Sequence, residues 1–330
     1  MWTICADGRT KCMGSEGRSK TSGCLLLACI SLASACNRLP DQVEDNPLTV
    51  RPSHVREIHP PAGTQGEFEP SGLVVLENRL LVVTDEEEFP DIYLLKPLDK
   101  DTVEAETFRT VPAISGLGGH DFEGITFCKD RFFIVEEETS TVIEVDKEGR
   151  AKAHPLDFVS IHKEKNIAVP FGTKGAGLEG IACDEVTGVL YVAQERMFRM
   201  IYALDLISFR VFDFVDVPAG WLTPRYVAGL PVFPDYADLY FEDGFLYALQ
   251  RNDRIVLKID PKEKQLVSRL ELQFKESDYY DYKEPFGMAE GLYLSKDRIY
   301  IVLDNNGVAR TGDTQSISSL LLEFDRPKGF

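Results

Sequence analysis

The sequence predicts an all-β protein: a β-propeller of five four-stranded blades, or six if a degenerate blade lies in 218–238. Three observations predict it. Helical periodicity is scarce after residue 48, where short β-rich runs bounded by Gly, Asp, Asn and Pro take over. A short Glu-Gly element followed by a strand recurs around the chain. The last unit lacks a fourth strand, and residues 49–58, ahead of the first unit, can supply it. That closure would hide the sheet edge that two free chain ends expose.

The units read as follows. Ser71-Gly72-Leu73 precedes the strand from Arg79 to Glu86, and Glu123-Gly124-Ile125 precedes the one from Arg131 to Glu137. Glu179-Gly180-Ile181 precedes Leu190 to Arg196, and Ala237-Asp238-Leu239 precedes Leu246 to Asn252. Glu290-Gly291-Leu292 precedes Arg298 to Asn305. Third strands are expected at 92–95, 141–145, 200–204, 255–259 and 319–324. Fourth strands are expected near 103–111, 151–158, 209–217 and 265–274. A β-sandwich would not need so regular a spacing.

Ahead of the propeller, Arg18 and Lys20 introduce the apolar run Leu25-Leu26-Leu27-Ala28-Cys29-Ile30 and then Leu32-Ala33-Ser34-Ala35-Cys36. A basic segment, a short apolar one and small residues before a cut describe a secretory signal over 1–35, its apolar run too short to span a bilayer comfortably. The residues before Cys36 resemble a bacterial lipobox, with Ala33 where Leu is usual. That resemblance implies cleavage before Cys36 and lipidation of its thiol, and a plain signal peptide is the alternative. Met13 looks like a better start than Met1. Residues 36–47, polar and with two prolines, read as a linker off the membrane. The expected setting is the bacterial cell envelope, lipid-anchored and extracytoplasmic, and the expected state is a monomer with 48–330 as its one domain.

Of seven cysteines, five lie in the signal or at its cut, leaving Cys128 and Cys183. They read as two free, partly buried thiols rather than a disulfide framework or a CxxC metal site. The formal charge of −18 repels nucleic acid and attracts cations or basic partners.

In a propeller blade the innermost strand starts on the face where the second strand ends, beside the central channel. Those positions carry the charge here. Strand starts supply Glu123, Glu179 and Glu290, and strand ends supply Asp85, Glu137, Glu195 and Asp304. The first blade has Ser71, with Glu69 two residues earlier, and the fourth departs with Asp238 and Arg251. Like charges around a narrow hole are relieved by protonation, by a bound cation or by pairing with Arg251. Oxygen ligands of this type suit Ca²⁺, then Mg²⁺, better than zinc, and Asn252, Asn305 and Asn306 add neutral oxygens. Alternatively each Glu-Gly pair is only architecture, the glycine giving room and the carboxylate accepting backbone N–H groups. Inter-blade loops on the same face carry Trp221, Tyr226, Phe233, Tyr236, Tyr279, Tyr280, Tyr282 and Phe286, as binding loops do or as a packed cap would. Lys163, Lys165 and Lys174 could meet an anion or could simply be solvated.

Together, Glu69-Pro70-Ser71-Gly72-Leu73, Thr84-Asp85-Glu86, Asp121-Phe122-Glu123-Gly124-Ile125, Leu178-Glu179-Gly180-Ile181 and Ala289-Glu290-Gly291-Leu292 resemble the SdiA-regulated propellers. They are also similar to the domain called esterase-like activity of phytase. The resemblance covers about 55–330 and implies an extracytoplasmic propeller, with Ca²⁺ as its metal. The fourth blade departs from the motif, which argues against a fully symmetric ligand ring. Two functions fit. One is a metal-dependent hydrolase of phosphoesters or carboxylic esters, with Glu123 or Glu179 as base and Arg251 or His120 offsetting substrate charge. The other is a non-catalytic module that binds a glycan, a peptide or an envelope protein. No GxSxG elbow and no Walker loop is present.

Overall fold

A computed structural model describes residues 48–63, 68–86, 89–114, 117, 121–165, 177–195, 200–215, 225–227, 230–232, 235–282, 286–313 and 315–330. The chain divides into two units, Met1–Gln42 and Val43–Phe330, and every described residue lies in the second. The signal, Cys36 and the whole linker fall outside the described residues, as do His120, Lys174, Trp221, Phe233 and the side chain of Tyr226.

The chain enters through β1 (Leu48–Val50) and β2 (Pro52–His59). Blade one is β3 (Pro70–Leu76), β4 (Arg79–Thr84), β5 (Ile92–Pro97) and β6 (Thr102–Arg109). Blade two is β7 (Phe122–Cys128), β8 (Arg131–Glu136), β9 (Thr141–Val145) and β10 (Ala151–Pro155). After helix α1 (Phe158–Lys165) comes blade three: β11 (Leu178–Asp184), β12 (Val189–Gln194), β13 (Ile201–Asp205) and β14 (Val211–Val215). A hairpin of β15 (Arg225–Val227) and β16 (Leu230–Val232) follows. Blade four is β17 (Tyr236–Glu242), β18 (Phe245–Gln250), β19 (Ile255–Asp260) and β20 (Gln265–Leu272). Blade five begins with β21 (Ala289–Leu294), β22 (Arg298–Leu303) and β23 (Ser319–Asp325).

Each blade is an antiparallel meander, and the inner strands β3, β7, β11, β17 and β21 pack in succession, with β21 returning to β3. Strand β2 pairs antiparallel with β23, from Pro52↔Phe324 to Ile58↔Ser319, and supplies the fourth strand of blade five. It also runs parallel to β6 over Glu57–His59, joining the last blade to the first. Strand β1 lies parallel to the outer strand β20, an extension of blade four that the sequence reading did not foresee. Alternating apolar residues on facing sheets fill the spaces between blades. Ile125, Phe132, Ile134, Leu81 and Val83 pack blade two on blade one, and Leu292, Ile299, Ile301, Leu249 and Val256 pack blade five on blade four.

Two sequence expectations are corrected. Residue 158 was expected to end a fourth strand and 160–178 to be an inter-blade loop, but 158–165 form helix α1. Asp157 caps it, accepting the Ser160 N–H at 3.1 Å, and Phe158, Ile161 and His162 are buried beneath it. Cys128 and Cys183, expected as free thiols, form a disulfide with Cα atoms 6.2 Å apart. The reason is the repeat itself. The cysteines stand at like places on β7 and β11, and the ring sets those neighbouring inner strands side by side. The bridge spans a sequence separation of 55 residues. Replacing both cysteines by serine should therefore cost about 3 kcal/mol, through the wider freedom of the unfolded chain. A thermal melt should show that as a fall of roughly 6–12 °C, and an unchanged midpoint would mean that the bridge restrains nothing.

A candidate cation site at the channel mouth

A bulge sets the mouth. In β7 the register steps from Phe122↔Glu136 to Ile125↔Ile134, so Glu123-Gly124 is an extra-residue kink. The same step occurs at Leu178/Ile181, Ala289/Leu292 and Pro70/Leu73. It leaves no space for a Cβ on the glycine. One built on Gly124 would lie 2.4 Å from the Glu179 carbonyl oxygen, so each inner strand rests directly on the backbone of the next. On the second strands, the acid is the residue just past the strand. Glu137, Glu195 and Asp304 donate their N–H to Asp121, Gly177 and Met288, at 3.1, 3.1 and 3.0 Å. Both sets of carboxylates are thereby held at one end of the channel.

Blade four departs from the Glu-Gly pattern, as the triplet Ala237-Asp238-Leu239 indicates. Its register steps from Tyr236↔Gln250 to Asp238↔Leu249. Ala237 therefore stands in the Glu position and Asp238 in the Gly position, where its backbone meets Gly180. Asp238 is 1% exposed. Its carboxylate accepts N–H groups from Leu239 at 2.8 Å and Leu292 at 2.7 Å, and also from Leu73. Burial nevertheless pushes its pKa well up. Its work is to tie three inner strands together.

Three groups of carboxylates hold ligand oxygens within 4.8 Å of one another: Glu69, Asp85 and Asp304; Asp121, Glu123 and Glu137; and Glu137, Glu179 and Glu195. The sequence-derived residues thus converge. Glu123, Glu179, Glu195, Glu290 and Asp304 are all buried. Asn305 is fully buried but serves the loop, accepting the Gly307 N–H at 2.7 Å and donating to Ser319 at 3.0 Å. Asn252 likewise accepts the Gly287 N–H at 2.7 Å. The sequence reading left Asp121 and Asp235 out of its ring. Their signal was available: Glu69, Asp121 and Asp235 each stand one residue before an inner strand.

Arg251 reaches across the mouth. Its guanidinium pairs with Glu195, with Glu290 at 2.5 Å, with Asp235 at 3.0 Å and with Glu179 at 3.7 Å. Burial works to lower its pKa, but Glu290, Glu179, Asp235 and Glu195 together hold it well above the usual value. Opposite, Ser71 donates to Glu123 at 2.6 Å and Gly307 N–H to Glu69 at 3.0 Å. Among the described residues, no lysine or arginine forms an ion pair with Asp85, Asp121, Glu123 or Glu137. Burial first, then Asp304 and Glu69, pushes Asp85 up to about 9, and burial followed by Glu137 pushes Asp121 up to about 7. Glu123, Glu179 and Asp304 are also raised, each chiefly by burial. Two carboxylate oxygens, Asp85 Oδ1 and Glu179 Oε2, are buried without a hydrogen-bond partner. Clustered hard oxygens with unsatisfied lone pairs and an excess of negative charge fit a divalent cation such as Ca²⁺.

The shifts fix a sign. A carboxyl whose folded pKa is raised binds more protons folded than unfolded, so its stabilising effect is full below the unfolded value of about 4 and lost as pH rises. In chelator, the midpoint of unfolding should fall from pH 5 to pH 9, through the values of Asp121 and Asp85. Melts that are flat across that window would contradict the assignment.

Residues 108–307 match the family model described as SdiA-regulated, more than half of the chain. The protein belongs to the SdiA-regulated family. The matched stretch holds Asp121, Glu123, Glu137, Glu179, Glu195, Asp235, Arg251, Glu290 and Asp304, and omits Glu69 and Asp85. No curated protein matches the sequence. Solved structures similar to this SdiA-regulated chain include glutaminyl cyclase of Myxococcus xanthus, at 14% identity and a TM-score of 0.47, covering 84% of this chain and 97% of that one. They also include a gluconolactonase of Xanthomonas campestris, at 12% identity and 0.45, covering 77% and 72%.

Proposed function

We propose that this SdiA-regulated propeller is anchored to the bacterial envelope through a lipid on Cys36, facing away from the cytoplasm. At its mouth it binds a divalent cation, Ca²⁺ ahead of Mg²⁺, and there it hydrolyses a phosphoester or carboxylic ester. The observation that carries the cation is the group Glu69, Asp85 and Asp304, in which Asp85 Oδ1 is buried and unpartnered. The Cys128–Cys183 bridge supports an oxidising compartment.

Glu69, Asp85 and Asp304 would hold the ion. A bound ion would supply positive charge to polarise a substrate oxygen and to lower the pKa of water. Glu123, oriented by Ser71, is the carboxylate placed to take up a proton. Burial, then Asp85 and Glu290, holds its pKa up, and a cation bound beside those neighbours would offset their share.

One observation favours the second reading, a binding module without turnover. Arg251 is already paired with four carboxylates, so its charge is committed to the protein rather than to a substrate anion. The two readings separate on the purified mature protein. Ca²⁺ should raise the melting midpoint, by about 2.7 kcal/mol of added stability at 100 times the dissociation constant. With Ca²⁺, Mg²⁺ or Mn²⁺, p-nitrophenyl phosphate or p-nitrophenyl acetate should be hydrolysed, and Glu123→Ala with Glu179→Ala should abolish that turnover. Absence of wild-type turnover with each metal selects the binding module, and a midpoint indifferent to Ca²⁺ and to chelator removes the ion. For the anchor, wild type should incorporate labelled palmitate in cells and Cys36→Ser should not; an unlabelled wild type leaves a plain secreted protein.

A further inference from the structure

The five blades present ten equivalent positions at the mouth. Strand starts give Ser71, Glu123, Glu179, Ala237 and Glu290, and the residues past the second strands give Asp85, Glu137, Glu195, Arg251 and Asp304. Blade four alone has a carboxylate in neither position. It trades one for a methyl group and the other for a guanidinium. The trade is local in sequence but not in space, because the Arg251 head pairs with residues of blades three, four and five.

Its position bears on the three carboxylate groups unequally. The Nη2 atom pairs with both Glu179 and Glu195, two of the three members of the Glu137, Glu179 and Glu195 group. None of Glu69, Asp85 and Asp304 forms an ion pair with Arg251 among the described residues. An ion entering the blade-three group would have to sit against a fixed like charge and compete with it for the same oxygens. The buried, unpartnered Glu179 Oε2 shows that the group retains unused ligand capacity even so.

We infer that Arg251 is a tethered counter-cation that bars a divalent ion from the Glu137, Glu179 and Glu195 group. The inference rests on the cation reading of the mouth and adds to it a selector of site and stoichiometry. Arg251 is a positioning residue in this account, since it acts on the ion through the carboxylates it holds.

The test is the number of Ca²⁺ ions bound, counted by native mass spectrometry and by calorimetric titration of the folded chain. Wild type should bind one ion, Arg251→Met two and Arg251→Lys one, because a lysine restores the charge. Asp85→Asn should bind none, and Arg251→Met with Asp85→Asn should bind one. A purely structural role for Arg251 would not raise the stoichiometry and would not be rescued by lysine. If Arg251→Met binds a single ion that Asp85→Asn removes, the inference is overturned. A wild type without an ion beside an Arg251→Met with one would refute the cation site proposed above while upholding exclusion by Arg251; no ion in either refutes both. Should Arg251→Met fail to fold, Glu195→Gln decides. It should leave Ca²⁺ affinity within about threefold of wild type while Asp85→Asn lowers it by 100-fold or more. Equal losses would overturn the assignment.

Discussion

Arg251→Met should be the most damaging single change at the mouth when no divalent ion is supplied. Among the described residues, it removes the cation that pairs with Glu179, Glu195, Asp235 and Glu290, all four of them more than nine-tenths buried along with their neighbours Glu123 and Asp304. Breaking a buried pair by deleting one partner costs about 3–5 kcal/mol, because the remaining charge is stranded. In chelator the midpoint should fall by about 10 °C. Part of the cost is avoided if the stranded carboxylates take up protons, so the loss should be smaller at pH 5 than at pH 8. Millimolar Ca²⁺ should restore much of it, since the vacated oxygens can then ligate an ion. A variant as stable as wild type at pH 8 in chelator would mean that the carboxylates do not depend on the guanidinium.

Gly124→Ala should be nearly as costly for a different reason. Its Cβ would lie 2.4 Å from the Glu179 carbonyl oxygen, 2.8 Å from the Ile181 nitrogen and 2.9 Å from the Gly180 Cα. All three are backbone atoms of the neighbouring inner strand, so no rotamer change can relieve the overlap. The strands of blades two and three must part, at a cost of about 3 kcal/mol, or roughly 6–12 °C in a melt. Because the same shift spreads Glu123 from Glu179, Ca²⁺ affinity should fall as well. Gly149→Ala is the contrast. That glycine has open space around it and only a positive φ of 79°, so about 1 kcal/mol is expected. Equal effects at the two glycines would show that the inner strands are not in such close contact.

The fold was legible because its signal is repeated. Glu123-Gly124, Glu179-Gly180 and Glu290-Gly291 mark the same bulge on three inner strands, and the missing strand of the last blade pointed to residues 49–58. The departure of the fourth blade was legible too, since Ala237-Asp238-Leu239 stands where the others have Glu-Gly, and the bulge gives the glutamate slot to Ala237 and the glycine slot to Asp238. The disulfide was missed because the adjacency of Cys128 and Cys183 follows only from the ring, which sets β7 beside β11. Helix α1 spans just two turns and shows little apolar periodicity, so only Asp157 three residues ahead of Ser160 announced it. Which carboxylates meet Arg251 was not legible at all, since its partners stand 16 to 72 residues away in sequence.

The central claim is that separate blades bring Glu69, Asp85 and Asp304 together to hold one cation. The most direct test is a crystal structure of the mature protein grown with Ca²⁺, with an anomalous difference map at the mouth. One peak should lie within about 2.3–2.6 Å of carboxylate oxygens from those three residues. A mouth with no peak at saturating Ca²⁺, or a peak bound only by other residues, would contradict it.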